Sequence, residues 1–291
     1  MRPTADIRRR LAHSRGFVFD LDGTLVLGDK HNKGVRALPG AADMLAELAT
    51  RGVPYVILTN GTVRAPRDLA AMLGEAGLPV AADSVITPAS VAGESLARAG
   101  YRSVLALGGE GVSRPLADAG LEVVLPANLG ERKVDAIFAG WFREFTMSDL
   151  EAACNAVWRG ASLYTASMSL FFATAHGKAI GTSRAICAMI TSVTGARPRV
   201  LGKPSLAALR SASRRLGVPT RELAVLGDDP TLEVEMAHRG QALAIGVHSG
   251  VGDAGAFAKM PRGRRAHITV HSVSELHKLY VESVNGKRRR S

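Results

Sequence analysis

Cysteine is almost missing from this chain: 291 residues carry two, Cys154 and Cys187. Both fall in helix-like segments with no ligand spacing. A disulfide framework and a zinc site are therefore not encoded, and the two thiols read as small buried hydrophobes. Aromatic residues are also scarce, at 5%, and no basic stripe is interleaved with them, so no specific nucleic-acid partner is expected. No apolar run reaches membrane-spanning length, because Asp20 and Asp22 interrupt the best one. The Arg-rich first fifteen residues are not followed by a signal-type apolar core, and a strand beginning at Gly16 leaves no room for a leader. The expected location is the cytoplasm, with no membrane partner. Internal repeats and low-complexity segments are absent as well.

What is present describes a soluble α/β protein. Hydrophobic residues make up 46% and charged residues 22% of a length that holds one large domain or two ordinary ones. The formal charge of +11 is spread over the chain, with clusters at Arg8–Arg10, Arg262–Arg265 and Lys287–Arg290. Such a balance suits attraction of anions or weak nucleic-acid contact and decides nothing alone.

The informative stretch is G-F-V-F-D-L-D-G-T-L-V, from Gly16 to Val26. An apolar run of strand length ends in two acids one residue apart. Acids are poor strand interiors, so Asp20 and Asp22 belong where the strand leaves its sheet. Residues two apart share a face there, and two carboxylates in one site call for a cation. A hard divalent ion, most simply Mg²⁺, meets that need. The alternative is a strand followed by a solvated Asp-Gly turn.

From there the pattern alternates. A short helix carrying Ile7 and Leu11 precedes the first strand. The stretch Gly28 to Arg36, with Lys30, His31, Lys33 and Arg36, is too irregular for a regular element and reads as a solvated loop or part of a gate. Helices are expected from Pro39-Gly40 to Thr50 and from Pro66 to Ala76, flanking a strand Val53–Leu58 that ends in Thr59-Asn60. A second α/β block spans about Ser84 to Val200, with no acid-rich strand end. The first pattern then resumes with Gly202-Lys203-Pro204, a helix, and a strand Leu223–Leu226 ending in Gly227-Asp228-Asp229. Strands and helices in alternation predict a parallel sheet, with sites at the carboxyl ends of its strands. Singly, Thr59-Asn60 reads equally as a turn, Lys203 as a solvated residue, and Asp228-Asp229-Pro230 as a helix cap.

In order, F-D-L-D-G-T-L, I-L-T-N-G-T, G-K-P and L-G-D-D resemble the four signatures of the haloacid dehalogenase superfamily of aspartate-nucleophile phosphatases. The large insertion between Thr59 and Lys203 is similar to the subgroup of p-nitrophenyl phosphatase, phosphoglycolate phosphatase and pyridoxal phosphatase type enzymes. The segments L-P-G-A-A-D-M-L, I-T-P-A-S-V-A and T-G-A-R-P-R-V-L-G-K-P extend the likeness over nearly the whole chain. The resemblance implies a Rossmann-like parallel-sheet core, residues 1–83 and 201–291, with an inserted α/β cap, residues 84–200.

It also implies roles. Asp20 is the nucleophile that forms an aspartyl-phosphate, and Asp22 is the general acid/base. Asp20, the Asp22 carbonyl and Asp228 hold Mg²⁺. Thr59, Asn60, Lys203 and turn amides near Gly23 bind the phosphoryl group. Asp229 and Glu233 support the site. Glu233 stands where the family usually has Asp. In the cap, Thr165-Ala166-Ser167-Met168-Ser169 replaces a T-N-x-D-like substrate loop, and Ile180-Gly181-Thr182-Ser183 replaces P-G-A-G. Ser167, Met168 and Ser169 are thus the candidate specificity residues, and the lost Asn and Asp predict a more apolar leaving group. The substrate expected is a small phosphorylated metabolite, and pairing of two copies through the cap is a further expectation. A phosphomutase sharing the first half-reaction, and a retired phosphatase fold used for binding, are the alternatives.

Overall fold

The computed structural model describes residues 3–28, 34–174, 177–252 and 254–288. In chain order its strands are β1 Gly16–Phe19, β2 Val26–Gly28, β3 Val35–Ala37, β4 Tyr55–Leu58, β5 Val85–Ile86, β6 Ser103–Leu107, β7 Glu122–Val124, β8 Ala136–Ala139, β9 Ser162–Thr165, β10 Phe171–Thr174, β11 Gly177–Ile180, β12 Arg199–Val200, β13 Leu223–Gly227, β14 Leu243–Val247 and β15 Ile268–Val270. The helices are α1 Ala5–Ala12, α2 Ala41–Thr50, α3 Pro66–Glu75, α4 Pro88–Arg98, α5 Glu110–Asp118, α6 Met147–Trp158, α7 Thr182–Thr194, α8 Leu206–Leu216, α9 Glu235–Arg239, α10 Ala254–Lys259 and α11 Val273–Arg288. Among the described residues no helix is long and apolar enough to cross a membrane.

The chain divides into two compact units. One takes the described residues of 1–58, 70–85 and 209–291, the other those of 59–69 and 86–208. Residues 59–69 and 201–208 thus group with the second unit, whereas the sequence reading put them with the first. The reason is local packing. The Trp141 N–H donates to Thr62 Oγ1 at 2.8 Å, and the Asn60 side chain bonds the Lys203 backbone. Partners this far apart in sequence leave no mark in a local pattern.

The first unit is built on a sheet of order β15-β14-β13-β1-β4-β5. The four pairings from β15 to β4 are parallel. β1, β13 and β14 are buried at every position, as continuous apolar runs with covered faces must be. Phe17 and Phe19 are fully buried, each contributing roughly 2–3 kcal/mol. Phe17 meets Tyr280 of α11 edge-on at 5.4 Å, which seats the last helix on the sheet. From β1 the chain builds outward to β4 and β5, then returns to add β13, β14 and β15 on the other side. The order therefore reverses between β1 and β13, the crevice where open α/β sheets place ligands.

β2 and β3 correct one expectation. Gly28 to Arg36 is not without regular structure: Val26, Leu27 and Gly28 pair antiparallel with Ala37, Arg36 and Val35. Val26, Leu27 and Val35 supply strand propensity across an otherwise polar loop. Lys30, His31 and Lys33 lie outside the described residues.

The second unit carries a parallel sheet of order β12-β9-β8-β6-β7 and a separate antiparallel pair, β10 and β11. That pair went unread in the sequence. Leu105, Ile137, Ile186 and Ile190 form its core with Cys154 and Cys187. Both thiols are free and buried. Burial pushes the Cys187 thiol up to about 11, and that of Cys154 in the same direction, so neither forms the reactive thiolate at neutral pH.

Candidate active site

The carboxyl ends of β1 and β13 carry the acids. Asp20 follows β1 directly, and its N–H donates to Leu226 O at 2.8 Å, so the backbone ladder runs up to the nucleophile candidate. Its carboxylate is buried, and Oδ2 accepts a hydrogen bond from Thr24 Oγ1 at 3.0 Å. Thr24 is fully buried and was not singled out in the sequence, although it stands inside the F-D-L-D-G-T-L stretch. Asp22, two residues on, is exposed. The two acids of one motif therefore occupy different surroundings, one enclosed and oriented, the other open to solvent.

Asp228 leaves β13 buried at 4% exposure, and its Oδ2 accepts the Val251 N–H at 2.6 Å. The turn at Gly23 comes against it. Gly23 adopts φ +81°, and a Cβ there would lie 2.5 Å from Asp228 Oδ2. Only glycine accepts both that backbone and that neighbour. The exits of β1 and β13 are thus in contact.

Asp229 is a cap. Its Oδ1 accepts the Thr231 N–H and hydroxyl, each at 2.7 Å, at the start of a π turn, Pro230–Val234, that runs into α9. Single π turns cluster at functional sites. Glu233, in that turn, is buried and accepts the Asp229 N–H through Oε2 at 3.1 Å. The longer carboxylate in the family's Asp position therefore braces the acid loop.

The loop after β14 was missed. Ser249 Oγ donates to Gly23 O at 2.7 Å, and Val251 supplies the amide on Asp228. A strand exit reading S-G-V-G offers no charge to notice. Its one sequence signal is position, as another carboxyl end on the same sheet.

In the second unit, Thr59 and Lys203 are buried at 2% and 3% exposure. Thr59 Oγ1 accepts the Gly61 N–H at 2.9 Å, and the Thr59 N–H donates to Ile86 O. The Asn60 side chain spans the Lys203 backbone: Oδ1 accepts the Lys203 N–H at 2.7 Å, and Nδ2 donates to Lys203 O at 3.2 Å. Thr59-Asn60 and Gly202-Lys203 are therefore one assembly, 143 residues apart in sequence. The Lys203–Pro204 peptide bond is cis.

The loop after β9 is held from within. Thr165 Oγ1 donates to Ala139 O and Ser167 O, Ser183 Oγ to Ser167 O at 3.0 Å, and Arg184 Nη1 to Met168 O at 2.8 Å. Ser167 is buried with its hydroxyl bonded to that of Ser169 at 2.9 Å, so it shapes the loop, while Met168 and Ser169 are half-buried.

The donor set around Asp20 and Asp228 fits a hard divalent cation. It offers hard carboxylate oxygens on two acids whose burial costs free energy unless positive charge compensates it. Among the described residues no group of three His, Cys, Asp or Glu side chains is gathered. Two carboxylates with a backbone carbonyl would leave coordination positions for water, as Mg²⁺ prefers and a closed all-protein cage does not.

Profiles of two families match the chain: the haloacid dehalogenase-like hydrolases over residues 17–122, and a second hydrolase profile of the same superfamily over residues 200–276. The chain belongs to the haloacid dehalogenase-like hydrolases. The gap between the two matches falls within the second unit, so the core signatures carry the membership. The 5′-nucleotidase YutF of Bacillus subtilis is 26% identical over 238 residues, 81% of this chain and 88% of that protein. The dihydroxyacetone phosphatase of Corynebacterium glutamicum is 25% identical over 261 residues, 89% and 90% of the two chains. The crystal structure of the glycerol phosphate phosphatase Rv1692 of Mycobacterium tuberculosis in complex with magnesium is 28% identical with a TM-score of 0.81, covering 93% of this chain and 79% of that one. The same protein has also been solved with calcium. As a haloacid dehalogenase-like hydrolase, the chain joins a parallel-sheet core to an inserted α/β cap.

Proposed function

We propose that this chain hydrolyses a small phosphate monoester with Mg²⁺, through an aspartyl-phosphate on Asp20. The observation that carries the reading is the contrast at one strand exit: buried Asp20, oriented by Thr24 and beside the loop of buried Asp228, and exposed Asp22 two residues on. A carboxylate of Asp20 attacks phosphorus, and the bond from phosphorus to the ester oxygen breaks. Asp22 gives its proton to the departing alkoxide. It then takes a proton from the water that attacks the acyl phosphate, which releases inorganic phosphate and restores Asp20. Asp20, the Asp22 carbonyl and Asp228 would hold the ion, which when bound offsets the charge of the phosphoryl group. Thr59 and the Asn60 amide are assigned to phosphoryl oxygens. Buried Lys203 supplies the positive charge that develops its worth in the transition state, with Asn60 fixing its backbone.

The relatives named for nucleotides, dihydroxyacetone phosphate and glycerol phosphate support a small phosphorylated metabolite as substrate. Ala166 and Met168 place no hydrogen-bonding side chain in the cap loop, which favours a less polar leaving group than those. A phosphate-release screen across phosphorylated metabolites tests the reading, with Asp20→Asn as the blank. Turnover that EDTA abolishes and MgCl₂ restores is expected. Turnover unchanged in Asp20→Asn would overturn the assignment, and a charged sugar phosphate as the best substrate would overturn the preference.

A further inference from the structure

The segment Ser249–Gly252 takes part in no step above, yet it touches both acid loops. Ser249 Oγ donates to the carbonyl of Gly23, three residues after Asp20, at 2.7 Å. The Val251 N–H donates to Asp228 Oδ2 at 2.6 Å. Between them, a Cβ on Gly250 would lie 2.0 Å from Asp228 Oδ2 and 2.7 Å from the Gly23 α-carbon. One carboxylate oxygen of Asp228 thus sits in a slot walled by Gly23 and Gly250, with an amide aimed at it. The Ser249 hydroxyl ties one wall to the other. The slot is anchored because β14, which the segment follows, is in parallel register with β13 through Gly227 and Gly246.

From this geometry we infer that Ser249 and Gly250 are positioning residues for the Asp228 carboxylate, and hence for the divalent ion that Asp20 and Asp228 hold. The inference rests on the phosphatase reading for the identity of that ion. Supporting groups of this kind set the orientation of the ligating oxygen, and their loss weakens metal affinity while the ligands themselves remain. Alanine at 249 removes the hydroxyl that bonds the Gly23 carbonyl, whereas threonine keeps one. Alanine at 250 places a methyl group where Asp228 Oδ2 now lies.

The test uses the full-length protein and the variants Ser249→Ala, Ser249→Thr and Gly250→Ala. Binding of Mn²⁺ is followed by the electron paramagnetic resonance of the free ion, alongside the MgCl₂ concentration that gives half-maximal phosphate release. Ser249→Ala is expected to weaken both by about 10-fold, with KM for the ester at saturating metal held within about 2-fold, and Gly250→Ala to weaken them more. Ser249→Thr is expected to restore the wild-type values. Wild-type Mn²⁺ affinity in both alanine variants would overturn the inference. So would a loss in Ser249→Ala that matches the fraction unfolded and that threonine does not repair. A wild-type protein that binds no Mn²⁺ and releases no phosphate would overturn the phosphatase reading as well. Wild-type turnover with unaffected variants removes this inference alone.

Discussion

The acid loops of the first unit and the cap loop of the second are both strand exits, but they are held by opposite means. At the exits of β1 and β13 the side chains themselves are fixed: Asp20 by Thr24, Asp228 by Val251, Glu233 by Asp229. After β9 the side chains of Thr165, Ser183 and Arg184 grip backbone carbonyls, those of Ser167 and Met168. Of the loop's own side chains the Ser167 hydroxyl is fixed on Ser169, while those at positions 166 and 168 are not used to hold the shape. A loop held by its side chains cannot change them without losing its shape. A loop held by its carbonyls keeps its shape while the side chains at positions 166 and 168 vary. On the proposed phosphatase reading, chemistry belongs to the first arrangement and selection among substrates to the second.

The strongest way to break that comparison is Asp20→Asn. Loss of the proposed nucleophile is expected to lower kcat by about 10⁴-fold or more, with the melting temperature little changed, read by phosphate release and calorimetry on the same sample. A residual rate within about 10-fold of wild type would move the chemistry elsewhere. Next in size is Asp22→Asn. On alkyl phosphates, whose leaving group needs a proton, a loss of about 10²- to 10³-fold is expected. On p-nitrophenyl phosphate, whose p-nitrophenolate departs as a weakly basic anion, the first step should be much less affected. Equal losses in kcat/KM, which reports the step in which the alcohol departs, would show that Asp22 does not protonate the leaving group.

The cap loop should answer on a smaller scale. Ala166→Asn returns an amide to a position where the sequence departs from the family's pattern. It is expected to shift the ratio of kcat/KM between a sugar phosphate and an aryl phosphate by about 5- to 10-fold toward the sugar, an effect of about 1 kcal/mol. Ala166 is buried, so calorimetry on the variant belongs beside the kinetics. A shift in stability with no shift in that ratio would mean that position 166 packs the loop and does not select.

The difference between the two regions also decides what was readable in advance. Asp20, Asp22 and Asp228 announce themselves because acids end buried apolar strands, a contrast visible in eleven letters for the first pair. Thr59 and Lys203 gain meaning through order, and their backbone coupling through Asn60 is invisible until the chain is folded. Ser249–Gly252 was unreadable for a different reason: its contribution lies in one hydroxyl, one amide and a missing Cβ, which any surface loop also offers. The ribbon of β2 and β3 escaped because strands of three residues lack enough period to register. The cap loop was legible only as a departure, so its preference stayed open.

The smallest expected effect separates acid chemistry from acid stability. His267, just before β15, is half-buried and accepts the Ala244 N–H through Nδ1 at 2.9 Å, which requires the neutral ring. It stacks on His238 at 4.9 Å. Burial chiefly, with the charges of Arg10 and His238, pushes its pKa down from 6.5 to about 4. Between those values the unfolded chain binds a proton that the folded chain refuses, so stability falls as pH drops through the window and levels off below it. An activity loss on acidification would otherwise be credited wholly to the acid loops. Melting temperatures from pH 7 to 4 should fall less steeply in His267→Gln than in wild type, while the pH profile of kcat at temperatures well below melting stays the same in both. If the variant and the wild type lose stability in parallel, His267 is not the group that titrates. If their kcat profiles diverge instead, the boundary drawn between the acid loops and the rest of the sheet is in the wrong place.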